Sequence, residues 1–363
     1  MIHLLLLICL SLPMQTPAPD VPVPPEALTL VQSGIDAENR HDLDSAIIAF
    51  RKAADVAPSS GIVFLRLGDA YMKKRDYAAA IPLLKRAAGL SPESPAVHQL
   101  LGFALLTEGY ASEAIPHLDF VHEYGALGIA QLQAGQAAEA VTNLQAALSK
   151  NPNDPDLLYY LSRAGTMLSS QSLDKLLSTF PDTARGHQAM GQNYYALKMY
   201  PDAVKQYQLA LSQRPDLPGL RLELGQVYVA NSEWEKAEEQ FRGETKLQPG
   251  NSEAAYRLGD ALLQQGKMKE AAAELRRSDA LRPDMPETLY SLGRSEAVND
   301  PKAAEQALAR VIALEKETLL AGQANLALAG IHRKQGKTKQ AAEEMQEFHR
   351  IEALSKSHAP ATP

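Results

Sequence analysis

Residues 252–285 read SEAAYRLGDALLQQGKMKEAAAELRRSDALRPDM, and this stretch contains the pattern that decides the fold. Its apolar residues recur at three- and four-residue spacing on both sides of a short polar break at Gly266 and Lys267. Such spacing is typical of two amphipathic helices joined by a tight turn. Gly266 can adopt the positive φ that closes the first helix, and Pro283 ends the second because proline lacks a backbone donor. The stretch therefore predicts a helical hairpin.

The landmarks of this hairpin return with a period of 34 residues along most of the chain. Prolines with this spacing are Pro58 and Pro92, and then Pro181, Pro215, Pro249 and Pro283. Glycines with the same spacing are Gly34, Gly68 and Gly102, and then Gly191, Gly225, Gly259 and Gly293. An alanine follows most of these glycines by 12 positions, and a large apolar residue lies four positions beyond it. The chain is therefore expected to be an array of about nine or ten such hairpins.

A glycine in the middle of each first helix costs on the order of 1 kcal/mol relative to alanine. Because this cost is repeated in most hairpins, we expect a structural gain that offsets it. We expect that gain to be close packing, in which the glycine of one helix faces the alanine methyl group of the other. The large apolar residues would then fill the space between hairpins.

This combination of Gly, Tyr, Ala, Phe or Leu, and Pro at a fixed period resembles the tetratricopeptide repeat family over about residues 26–352. The resemblance implies an all-α fold, a right-handed α-solenoid of helix-turn-helix repeats. It also implies that the first helices line a concave groove that binds proteins or extended peptides.

The register of the repeats is irregular in one part of the chain. Pro152 and Pro181 are only 29 residues apart, and Ser162 stands where a glycine is expected. The segments predicted from these observations are a signal peptide at 1–18, a Pro-rich linker at 19–25, a front subarray at 26–154, a short divergent repeat at 155–183, a rear subarray with a C-terminal capping helix at 184–352, and a disordered tail at 353–363. The divergent repeat is either a hinge or a rigid unit.

The N-terminal segment predicts export. Residues 2–12 are almost continuously apolar, too short to span a bilayer, and followed by several prolines, which indicates a signal peptide cleaved near Ala18. The processed chain is therefore expected to be periplasmic or secreted, with no stable membrane span. It would contain no thiol, because Cys9 is the only cysteine. No Lys or Arg precedes the apolar run, so a cytoplasmic location is the alternative if this segment does not function.

The sequence gives little support for catalysis, metal binding or nucleic-acid binding. It contains no glycine-rich phosphate loop, Gly-x-Ser-x-Gly elbow or cysteine nucleophile in its repeats. His122 and Glu123 begin like a zinc-protease helix, but Ala126 occupies the place of the second histidine. The net charge is -7, and the basic residues form no stripe. We expect no enzyme activity, no cofactor, no metal and no nucleic-acid partner.

Residues around each repeated glycine are expected to project into the groove and to contact the partner. These candidates are Leu65, Asp69, Met72, Gln99, Phe103, Leu106, Gln188, Gln192, Tyr195, Gln226, Tyr256, Asp260, Tyr290 and Arg294. Three functions remain open from the sequence. The first is a non-catalytic scaffold for partner proteins or peptides of unknown identity. The second is a non-catalytic subunit of an enzyme complex, such as a glycosyltransferase or an envelope assembly or secretion machinery. The third, repeat-wise RNA binding, is disfavoured by the acidic balance.

Overall fold

The structure is a computed structural model that describes residues 23–357. The predicted signal peptide, the linker residues 19–22 and the tail residues 358–363 lie outside the described residues. The helices are α1 (Pro25–Asn39), α2 (Leu43–Val56), α3 (Gly61–Lys73), α4 (Tyr77–Leu90), α5 (Pro95–Thr107), α6 (Ala111–Phe120), α7 (Tyr124–Gln133), α8 (Ala137–Lys150), α9 (Pro155–Thr179), α10 (Ala184–Ala196), α11 (Tyr200–Gln213), α12 (Leu220–Ala230), α13 (Trp234–Leu247), α14 (Ser252–Gln264), α15 (Met268–Leu281), α16 (Pro286–Glu296), α17 (Pro301–Glu315), α18 (Leu319–Lys334) and α19 (Thr338–Ser357). Residues 23–357 contain no strand, and the all-α prediction is confirmed.

Successive helices pack as hairpins, each made of a first and a second helix. The pairs are α1 with α2, α3 with α4, α5 with α6, α7 with α8, α10 with α11, α12 with α13, α14 with α15, α16 with α17, and α18 with α19. The second helix of one hairpin also contacts the first helix of the next, as α13 does with α14. Each hairpin therefore buries its apolar residues against its neighbours, as expected for a repeat array.

Two predicted segments differ from the structure. The segment 155–183 was expected to form a short divergent repeat, but residues 155–179 form the single helix α9. No residue with a positive φ interrupts this helix, whereas such a residue lies in the turn of eight of the hairpins. The tail was expected to be disordered from residue 353, but helix α19 continues to Ser357.

The chain divides into two compact units, the first ending at Ser172 and the second beginning at Leu173. The core of the first unit contains Phe50, Leu84, Leu118 and Leu144, all of them fully buried. The second unit has one core around Tyr207, Phe241 and Leu275, and another around Leu289, Leu308 and Leu328.

The repeated glycines pack against the large apolar residues rather than against the alanines, so the expected pairing is wrong. A Cβ at Gly259 would lie 2.6 Å from Cγ of Leu275, and a Cβ at Gly68 would lie 2.6 Å from Cδ2 of Leu84. In both hairpins the large residue of the second helix lies directly over the glycine of the first. The absence of a side chain at the glycine therefore makes room for the large residue within the same hairpin.

The turn inside most hairpins contains one residue in the left-handed conformation. Gly109, Gly135, Gly266 and Gly336 have φ values between 76° and 84°, which confirms the predicted turn role of these glycines. Four other hairpins place a non-glycine residue at the same position. These residues are His41, Arg75, Lys198 and Ser232, with φ values between 59° and 62°.

Candidate functional site

Several first helices contact the first helix of the next hairpin directly. Helix α10 contacts α12, and α14 contacts α16, in addition to the contacts inside each hairpin. We call the solvent side of α10, α12, α14 and α16 the first-helix face of the second unit. This face is where the resemblance to the repeat family places a partner.

In the first unit, four predicted groove residues belong to the core. Leu65, Met72, Phe103 and Leu106 are between 3% and 5% exposed. Their long apolar side chains pack among the neighbouring helices of the first unit, so the prediction that they project into a groove is wrong. These four residues leave the candidate set.

The two polar candidates of the first unit are held by neighbouring side chains. Asp69 accepts from Lys73 at 2.9 Å, and Lys73 also pairs with Glu38 at 3.0 Å. Gln99 donates its Nε2 to Oε1 of Glu123 at 3.0 Å. Both side chains are half-buried and already form these contacts with other residues of the first unit.

The second unit keeps most of its candidates at the surface. Gln188 is the exception, being only 6% exposed. The exposed members are Gln192, Tyr195 and Arg294, and the half-buried members are Gln226, Tyr256, Asp260 and Tyr290. Seven of the predicted residues on α10, α12, α14 and α16 are therefore at least partly accessible to solvent.

Glu223, a residue that the sequence analysis did not select, organises one end of this face. Its Oε1 accepts from Nε2 of Gln188 at 2.9 Å and from Nε2 of Gln192 at 3.1 Å. The hydroxyl of Tyr207 also donates to this carboxylate. Burial raises the pKa of Glu223, and these hydrogen bonds offset the effect only in part. The sequence signal for this residue was a glutamate among the leucines of the stretch Leu220–Leu224.

Asp260 lies at the other end of the face, between helices α14 and α16. Gln264 and Ser291 donate hydrogen bonds to its carboxylate. Burial raises the pKa of Asp260, although the positive charges of Arg294 and Arg257 act in the opposite direction. The carboxylate is thus partly removed from water without a full counter-charge.

Two tyrosines, one on α14 and one on α16, each have a guanidinium group over the ring. The guanidinium carbon of Arg257 lies 5.4 Å from the ring centroid of Tyr256, and that of Arg294 lies 5.8 Å from the ring centroid of Tyr290. Burial raises the pKa of Tyr256, and the neighbouring carboxylates add to this effect. The face therefore offers aromatic surface, amides and charged groups of both signs, which suits an extended peptide.

Between residues 23 and 357, no three His, Cys, Asp or Glu side chains converge to hold a metal ion. None of the described helices combines the length and the apolar character that crossing a membrane requires.

Comparisons with known proteins agree with the repeat pattern. The sequence model described as "Tetratricopeptide repeat" matches residues 31–95, 126–170, 222–286 and 296–351, and a second one described as "TPR repeat" matches residues 191–232. Superkiller complex protein 3 of Mus musculus is 33% identical over 100 residues, which cover 26% of this chain. The match spans only 6% of the length of that relative.

Solved structures with a similar arrangement include the MamA protein, with 19% identity and a TM-score of 0.45 over 50% of this chain and 97% of that one. YrrB, described as a TPR protein with an unusual peptide-binding site, has 18% identity and a TM-score of 0.45 over 50% of this chain and 92% of its own. The Cut9–Hcn1 tetramer of APC/C has 15% identity and a TM-score of 0.43, covering 90% and 87% of the two chains. The matched sequence models together cover more than half of the residues, so the chain belongs to the tetratricopeptide repeat family.

Proposed function

We propose that this protein is a non-catalytic scaffold that binds partner proteins or extended peptides on the first-helix face of the second unit. One observation carries the proposal. Apart from the buried Gln188, the polar and aromatic candidates of α10, α12, α14 and α16 are exposed or half-buried, whereas the apolar candidates of α3 and α5 are buried. A face lined by tyrosines, amides and charged side chains can bind a backbone by hydrogen bonds and side chains by aromatic contact.

The test is affinity capture with matched surface variants. Gln192, Tyr195 and Tyr256 are replaced together by alanine, and the control protein carries alanine at Lys205, Leu209 and Glu239, which are exposed on α11 and α13. Both proteins are checked for helical content before capture. We expect the first variant to lose the partners that the wild-type chain captures, while the control keeps them. Equal capture by all three proteins would refute the proposed binding face.

We also propose that the protein acts outside the cytoplasm. The support is the apolar run at residues 2–12, followed by prolines and a small residue at Ala18. Cell fractionation and N-terminal sequencing of the native protein test this location. A mature chain that begins near residue 19 in the extracytoplasmic fraction is expected, and an intact N-terminus in the cytoplasm would contradict it.

A further inference from the structure

The carboxylates of the second unit differ in whether a cation neutralises them. Two that lie away from the first-helix face, Glu238 and Asp279, are ion-paired. Glu238 pairs with Lys267 at 2.6 Å and with Arg242 at 2.8 Å, and Asp279 pairs with Arg310 at 2.8 Å. On the first-helix face, neutral amide and hydroxyl groups donate the hydrogen bonds to Glu223 and Asp260. Arg185 acts on Glu223, and Arg257 and Arg294 act on Asp260, through charge alone and without a hydrogen bond. This face therefore presents carboxylates whose counter-charge is incomplete.

The two arginines near Asp260 supply only part of that counter-charge. Arg257 is hydrogen-bonded through Nε to Glu253 at 2.7 Å, so its charge is already shared with another carboxylate. Glu287 adds a further negative charge near Tyr256. Around Tyr256 and Asp260 there are therefore three carboxylates, those of Glu253, Asp260 and Glu287. They outnumber the two guanidinium groups of Arg257 and Arg294.

Arg294 and Asp260 differ in how much a partner could stabilise them. Arg294 is exposed and stacks on Tyr290, so its guanidinium keeps most of its hydration. Asp260 is half-buried and has lost part of its hydration without gaining a close cation. An arriving positive charge therefore recovers more free energy at Asp260 than a negative charge recovers at Arg294.

We infer that the segment bound on the first-helix face of the second unit carries lysine or arginine side chains, one of which pairs with Asp260 between Tyr256 and Tyr290. This inference rests on the proposed function, because it names the chemistry of the partner at the same face. Glu223 on α12 provides a second acidic position for a segment that runs across successive first helices. The half-buried tyrosine rings flank the methylene groups of such a side chain.

The experiment uses the full chain and three fluorescein-labelled dodecapeptides, in which alanine alternates with lysine, glutamine or glutamate. Fluorescence anisotropy is measured for the wild type, D260N and the control variant E239Q. Both variants lose one negative charge, but Glu239 is exposed on the second helix α13. D260N keeps a side-chain acceptor for Gln264 and Ser291, so the local hydrogen bonds can persist.

The lysine peptide is expected to bind most tightly, and D260N should weaken it on the order of 10-fold, the range of a charge-assisted contact. E239Q should bind it within about twofold of wild type, since a distant exposed charge is screened by salt. Equal or tighter binding of the glutamate peptide would overturn the inference. So would an equal effect of the two variants, or no binding of the lysine peptide.

Failure of this inference differs from failure of the proposed function. If D260N captures native partners as wild type does, while the Gln192, Tyr195 and Tyr256 variant loses them, the binding face is supported and the preference for a cationic segment is refuted. If the triple variant captures partners normally, the proposed function is refuted.

Discussion

The carboxylate of Glu244 accepts a hydrogen bond from the backbone N–H of Gly219 at 2.7 Å. Glu244 belongs to α13 and is fully buried, whereas Gly219 has a φ of 83° and directly precedes α12. The equivalent position in three other hairpins is an alanine, at Ala53, Ala87 and Ala210. A negative charge at this place satisfies a free donor at the start of α12 and interacts favourably with the helix dipole. Glu244 therefore fixes where α12 begins.

Replacing Glu244 by alanine should destabilise the second unit by about 1–3 kcal/mol, because the Gly219 N–H loses its acceptor. E244Q keeps an acceptor oxygen and should lose less. Hydrogen exchange at residues 219–222, together with urea unfolding, measures both effects. Exchange in E244A that matches the wild type would show that the Gly219 contact does not hold the start of α12.

The packing of Leu275 over Gly259 predicts that G259A is destabilising. Alanine gains about 1 kcal/mol of helix propensity, but its Cβ would overlap the Leu275 side chain, and overpacking costs typically about 1–3 kcal/mol. Gly330 provides the control, since it lies in α18 with open space where a Cβ would be placed. Thermal unfolding should rank G330A above the wild type and G259A below it. The reverse order would contradict the packing described for the repeated glycines.

Lys198 occupies the left-handed turn position that glycine occupies in four other hairpins. A non-glycine residue in this conformation destabilises the fold by roughly 1–2 kcal/mol. Glycine avoids this cost, but its greater conformational freedom in the unfolded chain cancels part of the gain. We expect K198G to stabilise the second unit by roughly 0.5–1 kcal/mol. K198A removes the same charge but keeps the Cβ, so it should give no comparable gain. Chemical unfolding of the two variants side by side measures the difference. If K198G and K198A were equally stable, any gain over wild type would come from the lost charge and not from the backbone conformation.

The buried carboxylate of Glu223 predicts a specific pH dependence. Burial raises the pKa of Glu223 in the folded chain above its unfolded value. The protonated form of Glu223 is therefore favoured in the folded chain. Its contribution to the free energy of folding is complete below the unfolded pKa and is lost as the pH rises through the folded pKa. E223Q should then be more stable than wild type at pH 7, with a smaller difference at pH 4. Unfolding midpoints across this range test the sign.

Glu238 predicts the opposite pH dependence. Burial opposes its ionisation, but hydrogen bonds from Lys267, Arg242 and Gln265 outweigh it and lower its pKa to about 2. Its contribution is present above the unfolded pKa and is lost as the pH falls through the folded pKa. E238Q should thus lose stability at pH 7 and lose little near pH 2. If E223Q and E238Q shift stability in the same direction at pH 7, the assigned environments are wrong.

Much of the fold could be predicted from the sequence because each hairpin carries its own local signals. Gly109, Gly135, Gly266 and Gly336 mark turns by their backbone freedom. Helix α9 differs from the prediction because its sequence contains no residue that forces a turn. Ser169 stands where the turn residue of a hairpin would be, and a serine there does not force a break.

The candidate site was predicted less completely because register alone does not determine burial. Leu65, Met72, Phe103 and Leu106 occupy the expected positions, but apolar residues there are removed from water when neighbouring first helices touch. Glu223 lies two residues before Gly225, outside the positions at which the repeat pattern predicts partner contacts. Its importance depends on Gln188, Gln192 and Tyr207, which are brought close to it only by the fold.

Site-specific photo-cross-linking is the most direct test of the binding face. A photoreactive phenylalanine analogue is introduced singly at Gln192 or Arg294, which are exposed on the first-helix face of the second unit. The same analogue is introduced at Leu209 or Glu239, which are exposed on α11 and α13. We expect partner adducts from Gln192 and Arg294 and none from Leu209 or Glu239. Adducts that form only from Leu209 and Glu239 would contradict binding on the first-helix face.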